Sequence, residues 1–364
     1  MFVKAVFPGK YIQGEGVLDQ LVNCVRWFGK KGLLLASNSA KNKILVPYAD
    51  DLKAEGMVVD AFSGECCEKE LDRLMRVIRR ESADVIVGMG GGKAVDTAKI
   101  AADRAGIPVI IVPTIASTDA PCSGCAVLYS EKGVFERVYY QKTNPQVVLV
   151  DSKVIADAPV RFLVSGMGDA LATWFEARSC ERTKSPNACG GWSTLTGVNL
   201  ARLCYNTILD HGYAAKIAVE KRIVTPALEH ILEANILLSG IGFESGGLAA
   251  AHSIHNGLTA LPETHAFYHG EKVAFGVFAG LVLADALPSE MEVVYSFCEK
   301  IGLPTTLADI GLPGISRENL MKVAEKACAP EECIHHEAGL VTPEKVLSAM
   351  LAADAVGQAR KGKK

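Results

Sequence analysis

Residues 83–102, ADVIVGMGGGKAVDTAKIAA, decide the fold. An apolar run typical of a buried strand ends at Gly88, and three more glycines at 90–92 precede a helical pattern. Glycines here let backbone N–H groups approach an oxyanion, and a helix N-terminus adds favourable partial charge. A tight turn without a ligand is the alternative, although four glycines in five residues cost backbone entropy. The stretch matches neither a P-loop nor G-x-G-x-x-G, yet it predicts a phosphate-bearing ligand.

Similar apolar runs of strand length lie on both sides of this stretch. They are GLLLAS, MVVDAF, IPVIIVPT and QVVLVD, at residues 32–37, 57–62, 107–114 and 146–151. Helical patterns such as EKELDRLMRVIRRE, residues 68–81, separate them, which is typical of a parallel sheet covered on both faces. The sequence therefore predicts a doubly wound, mostly parallel, Rossmann-like α/β domain with its ligand at the carboxyl ends of the strands.

The second half of the chain has a different pattern. After APVRFLVSGMGDAL, residues 158–171, the β-branched runs stop, and Ala- and Leu-rich segments of helical spacing follow. We therefore expect an α/β domain at residues 1–158 and an all-helical domain at residues 159–364, with the ligand in the cleft between them. Asp169 is expected to open a helix after SGMG, as a carboxylate near a helix N-terminus often does.

Composition excludes several classes of protein. The 364 residues carry a net charge of −3, and the one basic cluster, RKGKK at 360–364, is expected to be a frayed tail, so we expect no nucleic-acid partner. The longest apolar run, residues 272–288, is too short to span a bilayer and contains Asp285. Eleven scattered cysteines are typical of a reducing compartment. We expect a cytoplasmic protein without a membrane partner.

Four of the eight histidines fall in AAHSIHNGLTALPETHAFYHG, residues 250–270. His252 and His255 are three apart, so both can lie on the same side of a helix. His265 and His269 are four apart, and the same holds if that segment is helical. Histidine is the commonest metal ligand, but the spacing permits two equivalent pairings and does not choose between them.

Several long motifs carry a resemblance to a known family. They include PGKYIQGEG at 8–16, GGGKAVDTAK at 90–99, PTIASTDAPCS at 113–123, FESGGLAAAHSIHNGLTA at 243–260 and YHGEKVAFG at 268–276. Together they resemble the glycerol dehydrogenase family, the zinc-dependent branch of the iron-containing alcohol dehydrogenase superfamily. That resemblance implies a dehydroquinate synthase-like fold, in which an α/β domain is followed by an all-α domain.

The resemblance also assigns roles to residues. It implies one zinc ion per subunit on Asp169, His252 and His269, which are also catalytic and substrate-binding, with His255 and His265 as supporting residues of the cleft. Asp119 would bind a substrate hydroxyl and contribute to catalysis. The residues implied for NAD are Ser37, Gly90, Gly91, Gly92, Lys93, Asp96, Thr114, Ser117, Ser123, Cys125 and Tyr129.

Two positions depart from related patterns. Iron-dependent relatives carry a histidine where this chain has Thr173, and the remaining three ligands suit catalytic zinc, although the same set also describes non-haem iron sites.

Ser37 stands where NAD-specific relatives carry an aspartate, and Lys41 lies nearby. A carboxylate there normally repels the 2′-phosphate of NADP, so its absence relaxes that discrimination. We expect NAD, because no arginine fork is present.

The activity implied is oxidation of glycerol and related vicinal diols, such as 1,2-propanediol, with hydride transfer to NAD. Glycerol would give dihydroxyacetone, and the enzyme would be a homo-oligomer, for which the family suggests an octamer. A dehydroquinate synthase-type lyase or a glycerol-1-phosphate dehydrogenase shares the fold, but each needs several cations for its substrate, and the motifs offer chiefly Lys93 and Lys272. A non-catalytic dinucleotide sensor has no need of the metal ligands or of Asp119.

Overall fold

The computed structural model describes residues 2–362, which divide into two compact units. The α/β unit contains residues 6–159 and 218–240, and the helical unit contains residues 2–5, 160–217 and 241–362. The α/β unit gives way to the helical unit at residue 160, next to the expected boundary. Two short segments differ from the expectation: residues 2–5 belong to the helical unit, and residues 218–240 belong to the α/β unit. The exact domain limits, 1–158 and 159–364, stay a prediction.

Eight strands and fourteen helices of at least four residues, besides short 3-10 and π turns, lie within the described residues. The strands are β1 (Tyr11–Gly14), β2 (Gly32–Ala36), β3 (Val58–Ala61), β4 (Val85–Gly90), β5 (Val109–Pro113), β6 (Cys125–Tyr129), β7 (Phe135–Tyr140) and β8 (Val147–Asp151). The helices are α1 (Leu21–Arg26), α2 (Ala49–Ala54), α3 (Glu68–Glu81), α4 (Gly92–Ala105), α5 (Ser152–Ala156), α6 (Val160–Thr183), α7 (Leu195–Glu220), α8 (Pro226–Glu233), α9 (Ser239–Gly246), α10 (Ala250–Leu258), α11 (His269–Leu283), α12 (Pro288–Ile301), α13 (Arg317–Ala327) and α14 (Pro343–Lys361).

The α/β unit is built on a six-stranded parallel sheet with the order β1-β8-β5-β4-β2-β3. The five apolar runs are the strands β2, β3, β4, β5 and β8, so the predicted doubly wound sheet is confirmed. The sequence did not indicate β1 or the antiparallel pair β6–β7. Strand β7 is largely exposed and carries Glu136 and Arg137, so it lacks the apolar run that marked the others.

Side chains of the sheet alternate between two packed faces. Leu34, Val87 and Leu149 lie in one core cluster with Leu21 of α1 and Leu52 of α2. On β4 the alternate positions Ile86 and Gly88 lie outside that cluster, and Gly88 meets α4. Because both faces of the sheet are covered, a fully apolar strand exposes no apolar side chain to water. This explains the continuous apolar runs in the sequence.

The strand order reverses between β2 and β4, which places a crevice at their carboxyl ends. In the pairing of these two strands Ala36 is opposite Met89. Ser37 follows β2 directly, and the glycines 90–92 end β4 and begin α4. The predicted phosphate turn therefore lies at the switch point of the sheet.

The helical unit corrects one expectation about Asp169. Helix α6 begins at Val160, so Asp169 lies well inside it and does not open a helix. The glycines of SGMG suggested a break, but a Cβ added to Gly168 would come within 2.4 Å of the backbone oxygen of Gly270. Gly168 therefore serves a close crossing between α6 and α11, and the helix continues through it.

The basic C-terminal run is also better ordered than expected. Arg360 and Lys361 belong to α14, where Arg360 Nε lies 2.6 Å from Glu299 Oε1 and Lys361 pairs with Asp309. Residues 363 and 364, the remainder of the expected frayed tail, lie outside the described residues. No helix within residues 2–362 combines the length and apolarity needed to cross a membrane.

Candidate metal centre and glycine turn

Asp169, His252 and His269 come together in the helical unit. They lie on α6, α10 and α11, and one ligand atom of each falls within 4.8 Å of the others. Asp169 Oδ1 lies 3.3 Å from His252 Nε2 and 3.1 Å from His269 Nε2. Its second oxygen, Oδ2, is buried and finds no hydrogen-bond partner among the described residues. A buried acceptor without a hydrogen bond costs free energy, and a cation at this point would give Oδ2 the favourable interaction that no hydrogen-bond donor provides. The cluster fits a metal ion.

Close helix crossings bring these ligands together. A Cβ on Gly270 would lie 1.8 Å from the backbone oxygen of Ser165, so only glycine lets α11 approach α6 so closely. A Cβ on Gly276 would lie 2.4 Å from the backbone oxygen of Ala251, where α11 approaches α10. Each contact is next to a ligand: Gly270 follows His269, and Ala251 precedes His252. Backbone packing thus sets the separation of the ligand-bearing segments.

Glu176 supports His252, and sequence reasoning missed it. Its Oε2 lies 2.6 Å from His252 Nδ1, and its Oε1 accepts the backbone N–H groups of Ala249 and His252 at 2.9 Å. A carboxylate accepting from Nδ1–H leaves the Nε2 lone pair for a cation. The available signal was the spacing, since Glu176 follows Asp169 by seven residues, which is two turns of one helix.

The other two histidines differ in position. His255 is buried, and its Nε2 lies 3.1 Å from Nδ1 of His269. His265 is exposed, and its Nε2 lies 3.1 Å from the carbonyl oxygen of Thr259. Residues 262–264 form a short 3-10 turn and α11 begins only at His269, so the segment that contains His265 and His269 is not one helix and the condition for their pairing is not met. His255 therefore supports the cluster, and His265 does not contact it.

The charges of this cluster reinforce each other. Burial raises the pKa of Asp169, but the charge of His269 and hydrogen bonds from both imidazoles outweigh it and hold that pKa below its usual range. Burial lowers the pKa of His252, but Glu176 and Asp169 more than compensate and raise it well above its usual value. Burial and the neighbouring cationic groups lower the pKa of His255, which favours the neutral form of its ring. Two carboxylates thus surround His252 with negative charge, which also favours a divalent cation.

The glycine turn of the α/β unit is an open cradle. A Cβ on Gly91 would lie 3.0 Å from Ile115 Cδ1, and one on Gly90 would lie 2.9 Å from the Cβ of Ala94. A Cβ on Gly92 would meet no atom of the described chain within 4 Å. The first residue of α4 therefore has space beside it that the described residues leave free, and the first turn of this helix carries no acidic residue. A phosphate group fits there.

Several residues implied for NAD are held by partners that the sequence did not indicate. Lys93 Nζ lies 2.6 Å from Glu65 Oε2 and 4.8 Å from the centre of the Tyr129 ring. Asp96 is buried and accepts the backbone N–H of Val127 at 2.9 Å. These contacts fix the two side chains beside the glycine turn.

Lys99 organises the loop that follows β5. Its ammonium group is fully buried, lies 3.2 Å from Asp96 Oδ1 and donates to the backbone oxygen of Ala120 at 2.8 Å. It also donates to the backbone oxygen of Cys125 and, at 3.3 Å, to Ser123 Oγ. Ser123 and Cys125 were both implied as NAD residues, and the structure shows them folded around this lysine.

The remaining predicted residues flank the carboxyl edge of the sheet. The backbone N–H of Ser37 donates to Met89 at 2.9 Å, and that of Thr114 donates to Gly90 at 3.0 Å. Ser117 is half-buried in the same loop as Asp119. Asp119 is almost buried, and its Oδ2 accepts the hydroxyl of Ser239 at 2.7 Å. The structure brings these residues to one end of the α/β unit, and their contacts with a cofactor or substrate stay predictions.

Comparison with known proteins agrees with this architecture. The family model described as iron-containing alcohol dehydrogenase matches residues 8–152. A glycerol dehydrogenase of Thermotoga maritima is 52% identical over 362 residues, covering 99% of each chain. A glycolaldehyde reductase of Halobacterium salinarum is 44% identical, covering 96% of this chain and 97% of its own. The crystal structure of glycerol dehydrogenase from Schizosaccharomyces pombe superposes with a TM-score of 0.93 at 36% identity, covering 99% of this chain and 92% of that one.

These relatives span nearly the whole chain at high identity. The chain therefore belongs to the iron-containing alcohol dehydrogenase family and is an oxidoreductase. Within that family, the chain is similar to glycerol dehydrogenases. About half of its residues are identical to those of the glycerol dehydrogenase of Thermotoga maritima.

Proposed function

We propose that this protein oxidises glycerol, and vicinal diols such as 1,2-propanediol, with NAD as hydride acceptor. Glycerol gives dihydroxyacetone as one hydride leaves carbon and one proton leaves the hydroxyl. The observation that carries the proposal is the buried cluster of Asp169, His252 and His269, in a chain that is 52% identical to a glycerol dehydrogenase. A dinucleotide sensor has no use for such a cluster. The relatives' names favour a dehydrogenase over a lyase.

The helical unit supplies the groups that hold a cation. Asp169, His252 and His269 would bind it, and three protein ligands are the pattern of catalytic zinc sites, so we propose one zinc per subunit. When bound, zinc supplies positive charge that favours loss of the hydroxyl proton, and NAD supplies the hydride acceptor. Glu176 and His255 hold the two imidazoles in place, so their Nε2 atoms point at Asp169.

The α/β unit supplies a surface for the dinucleotide. The backbone N–H groups at the start of α4, and the space at Gly92, would receive the pyrophosphate. Lys93, Asp96, Ser37 and the loop from Thr114 to Tyr129 would surround the rest. We propose that Asp119, held by Ser239, accepts a hydrogen bond from a substrate hydroxyl and orients the reacting C–H bond.

The test is a zinc analysis combined with glycerol-dependent reduction of NAD, followed by absorbance of NADH. Wild-type protein should contain about one zinc per chain and reduce NAD, while His252→Ala should lose both zinc and turnover. His230→Ala is a matched control, because His230 lies on α8 and belongs to the α/β unit, whereas the cluster belongs to the helical unit. Normal turnover in a zinc-free His252→Ala protein contradicts the proposal.

The same preparation tests three further proposals. We propose NAD in preference to NADP, a homo-oligomer, and a cytoplasmic location, to which the eleven cysteines, all without disulfides, lend support. Comparing kcat/KM for the two cofactors tests the first, and light scattering tests the second. Cell fractionation with activity recovered outside the cytoplasm would contradict the third.

A further inference from the structure

A chain of hydrogen bonds runs from His269 to a carboxylate that has no place in the cluster itself. His269 Nδ1 lies 3.1 Å from His255 Nε2, and His255 Nδ1 lies 3.1 Å from Asn256 Oδ1. The amide nitrogen of Asn256 donates to both carboxylate oxygens of Glu332, at 3.1 and 3.0 Å. Four side chains are therefore connected end to end.

Each link of this chain has one permitted direction. A carboxylate only accepts, so Asn256 must present its NH₂ group to Glu332 and its oxygen to His255. An amide oxygen also only accepts, so His255 carries its proton on Nδ1. The Nε2 atom of a neutral ring is then an acceptor, and His269 must donate to it from Nδ1. The Nε2 of His269 lies 3.1 Å from Asp169 Oδ1, so it donates to that carboxylate when it also carries a proton, and it offers its lone pair when a cation replaces that proton.

The opposite direction is penalised at the far end of the chain. If His269 carried its proton on Nε2, His255 would have to donate from Nε2 and accept at Nδ1. Asn256 would then turn its NH₂ group to His255 and its oxygen to Glu332. Two acceptors would face each other at about 3 Å, in a partly buried place, without a proton between them.

We propose that Glu332, acting through Asn256 and His255, is a positioning residue that keeps the proton of His269 on Nδ1 and its Nε2 available for metal. The inference rests on the metal centre proposed above. Glu176 acts on His252 directly, whereas Glu332 acts on His269 through two intervening side chains. Neither Glu332 nor Asn256 binds the cation.

The first experiment replaces His255 in two ways. Zinc affinity of the full-length protein is measured by competition with a chromophoric chelator, which needs no turnover. His255→Gln keeps an acceptor near the position of Nε2 and a donor toward Asn256, so its affinity should stay close to that of the wild type. His255→Phe keeps the ring shape but removes the acceptor, and its affinity should fall about 10- to 100-fold.

The order of these two variants separates positioning from packing. If His255 only fills space, phenylalanine resembles it better than glutamine does, and His255→Gln binds zinc more weakly than His255→Phe. That order contradicts the inference. His265→Phe is the matched control, because His265 is exposed and lies outside the chain of hydrogen bonds. Thermal unfolding of each variant confirms that it is folded.

The second experiment tests the far end of the chain of hydrogen bonds, where Glu332 is half-buried, and thermal unfolding again checks that the variant is folded. Glu332→Ala should weaken zinc binding, though less than His255→Phe, while Glu331→Ala, one residue away and exposed, should not. Equal affinities for Glu332→Ala, Glu331→Ala and wild type contradict the role of Glu332. Absence of zinc binding by the wild type instead contradicts the metal centre, so the two failures are distinguishable.

Discussion

The metal cluster and the glycine turn are suited to ligands of opposite charge, and they use different parts of the chain to bind them. At the cluster, ionisable side chains converge, and Asp169 keeps one buried oxygen without a partner in the described chain. At the turn, side chains are absent, and Gly92 faces open space beside the N-terminus of α4. One region offers charge to a cation, and the other offers backbone N–H groups to an anion.

The difference matters for how each region tolerates change. A side-chain site depends on residues around it, such as Glu176 and His255, which hold the imidazoles. A backbone site depends on the absence of side chains, so a substitution that adds side-chain atoms would block it. Substitutions that remove groups should therefore affect the first region, and substitutions that add groups should affect the second.

The largest effect should come from removing the cation. Asp169→Asn should lower turnover by about three orders of magnitude, since Lewis-acid stabilisation is worth several kcal/mol. NADH affinity, measured by fluorescence titration, should not change, because the glycine turn belongs to the other unit. Asp157→Asn, an exposed carboxylate of the α/β unit, is the control. A parallel loss of NADH affinity in Asp169→Asn would show that the two regions are not independent.

The next effect concerns the support of the loop beside the turn. Lys99→Met leaves Asp96 buried beside an uncharged side chain and frees the backbone oxygens of Ala120 and Cys125. Removing one partner of a buried pair should reduce the free energy of unfolding by about 3 kcal/mol. The denaturant midpoint followed by circular dichroism measures this. Lys69→Met, whose lysine is exposed, should keep the wild-type midpoint, and an unchanged Lys99→Met midpoint would contradict the assignment.

Gly88 of β4 and Gly92 of the glycine turn should respond differently to the same substitution. A methyl group at Gly88 would lie 2.4 Å from the Cβ of Ala98, so Gly88→Ala should destabilise the fold by about 1–3 kcal/mol. Gly92→Ala meets no atom of the described chain, so stability should be kept while NADH affinity falls. Unfolding midpoints and NADH titrations of both variants test this contrast. Full NADH affinity in Gly92→Ala would mean that the cradle does not receive the dinucleotide.

The smallest effect concerns cofactor choice. Ser37→Asp places a carboxylate directly after β2, where it repels a 2′-phosphate and accepts from ribose hydroxyls. The ratio of kcat/KM for NAD over NADP should rise about tenfold, which corresponds to about 1.4 kcal/mol. Ser39→Asp, two residues further along, controls for added charge alone. An equal rise in both variants would assign the effect to charge and not to position.

The sequence predicted the α/β unit well because buried parallel strands leave a local signal. Each apolar run that was read as a strand is one, and α3 begins and ends at the predicted residues 68 and 81. Three strands were missed: β1 is short and half-buried, β6 has alternate positions that are only half-buried, and β7 is exposed and carries polar residues. A continuous apolar run indicates a strand that is buried on both faces, and these three strands are not buried on both faces.

The metal cluster was less accessible from sequence, because its members meet only through tertiary packing. Spacing allowed either histidine of each pair, and the family resemblance selected His252 and His269. Asp169 was misplaced at a helix start because Gly168 was interpreted as a break, when it marks a helix crossing. Asn256 and Glu332 carry no local pattern at all, since their role depends on the direction of hydrogen bonds between distant segments.

The close crossing of α6 and α11 has a consequence for which ions the site accepts. A Cβ on Gly270 would lie 1.8 Å from a backbone oxygen of α6, so the separation of the two backbone segments that carry Asp169 and His269 is set by direct backbone contact. Such a frame cannot widen by rotating side chains. Selection between ions of similar chemistry then follows ionic radius, and larger divalent ions should bind with strain that the smaller ones avoid.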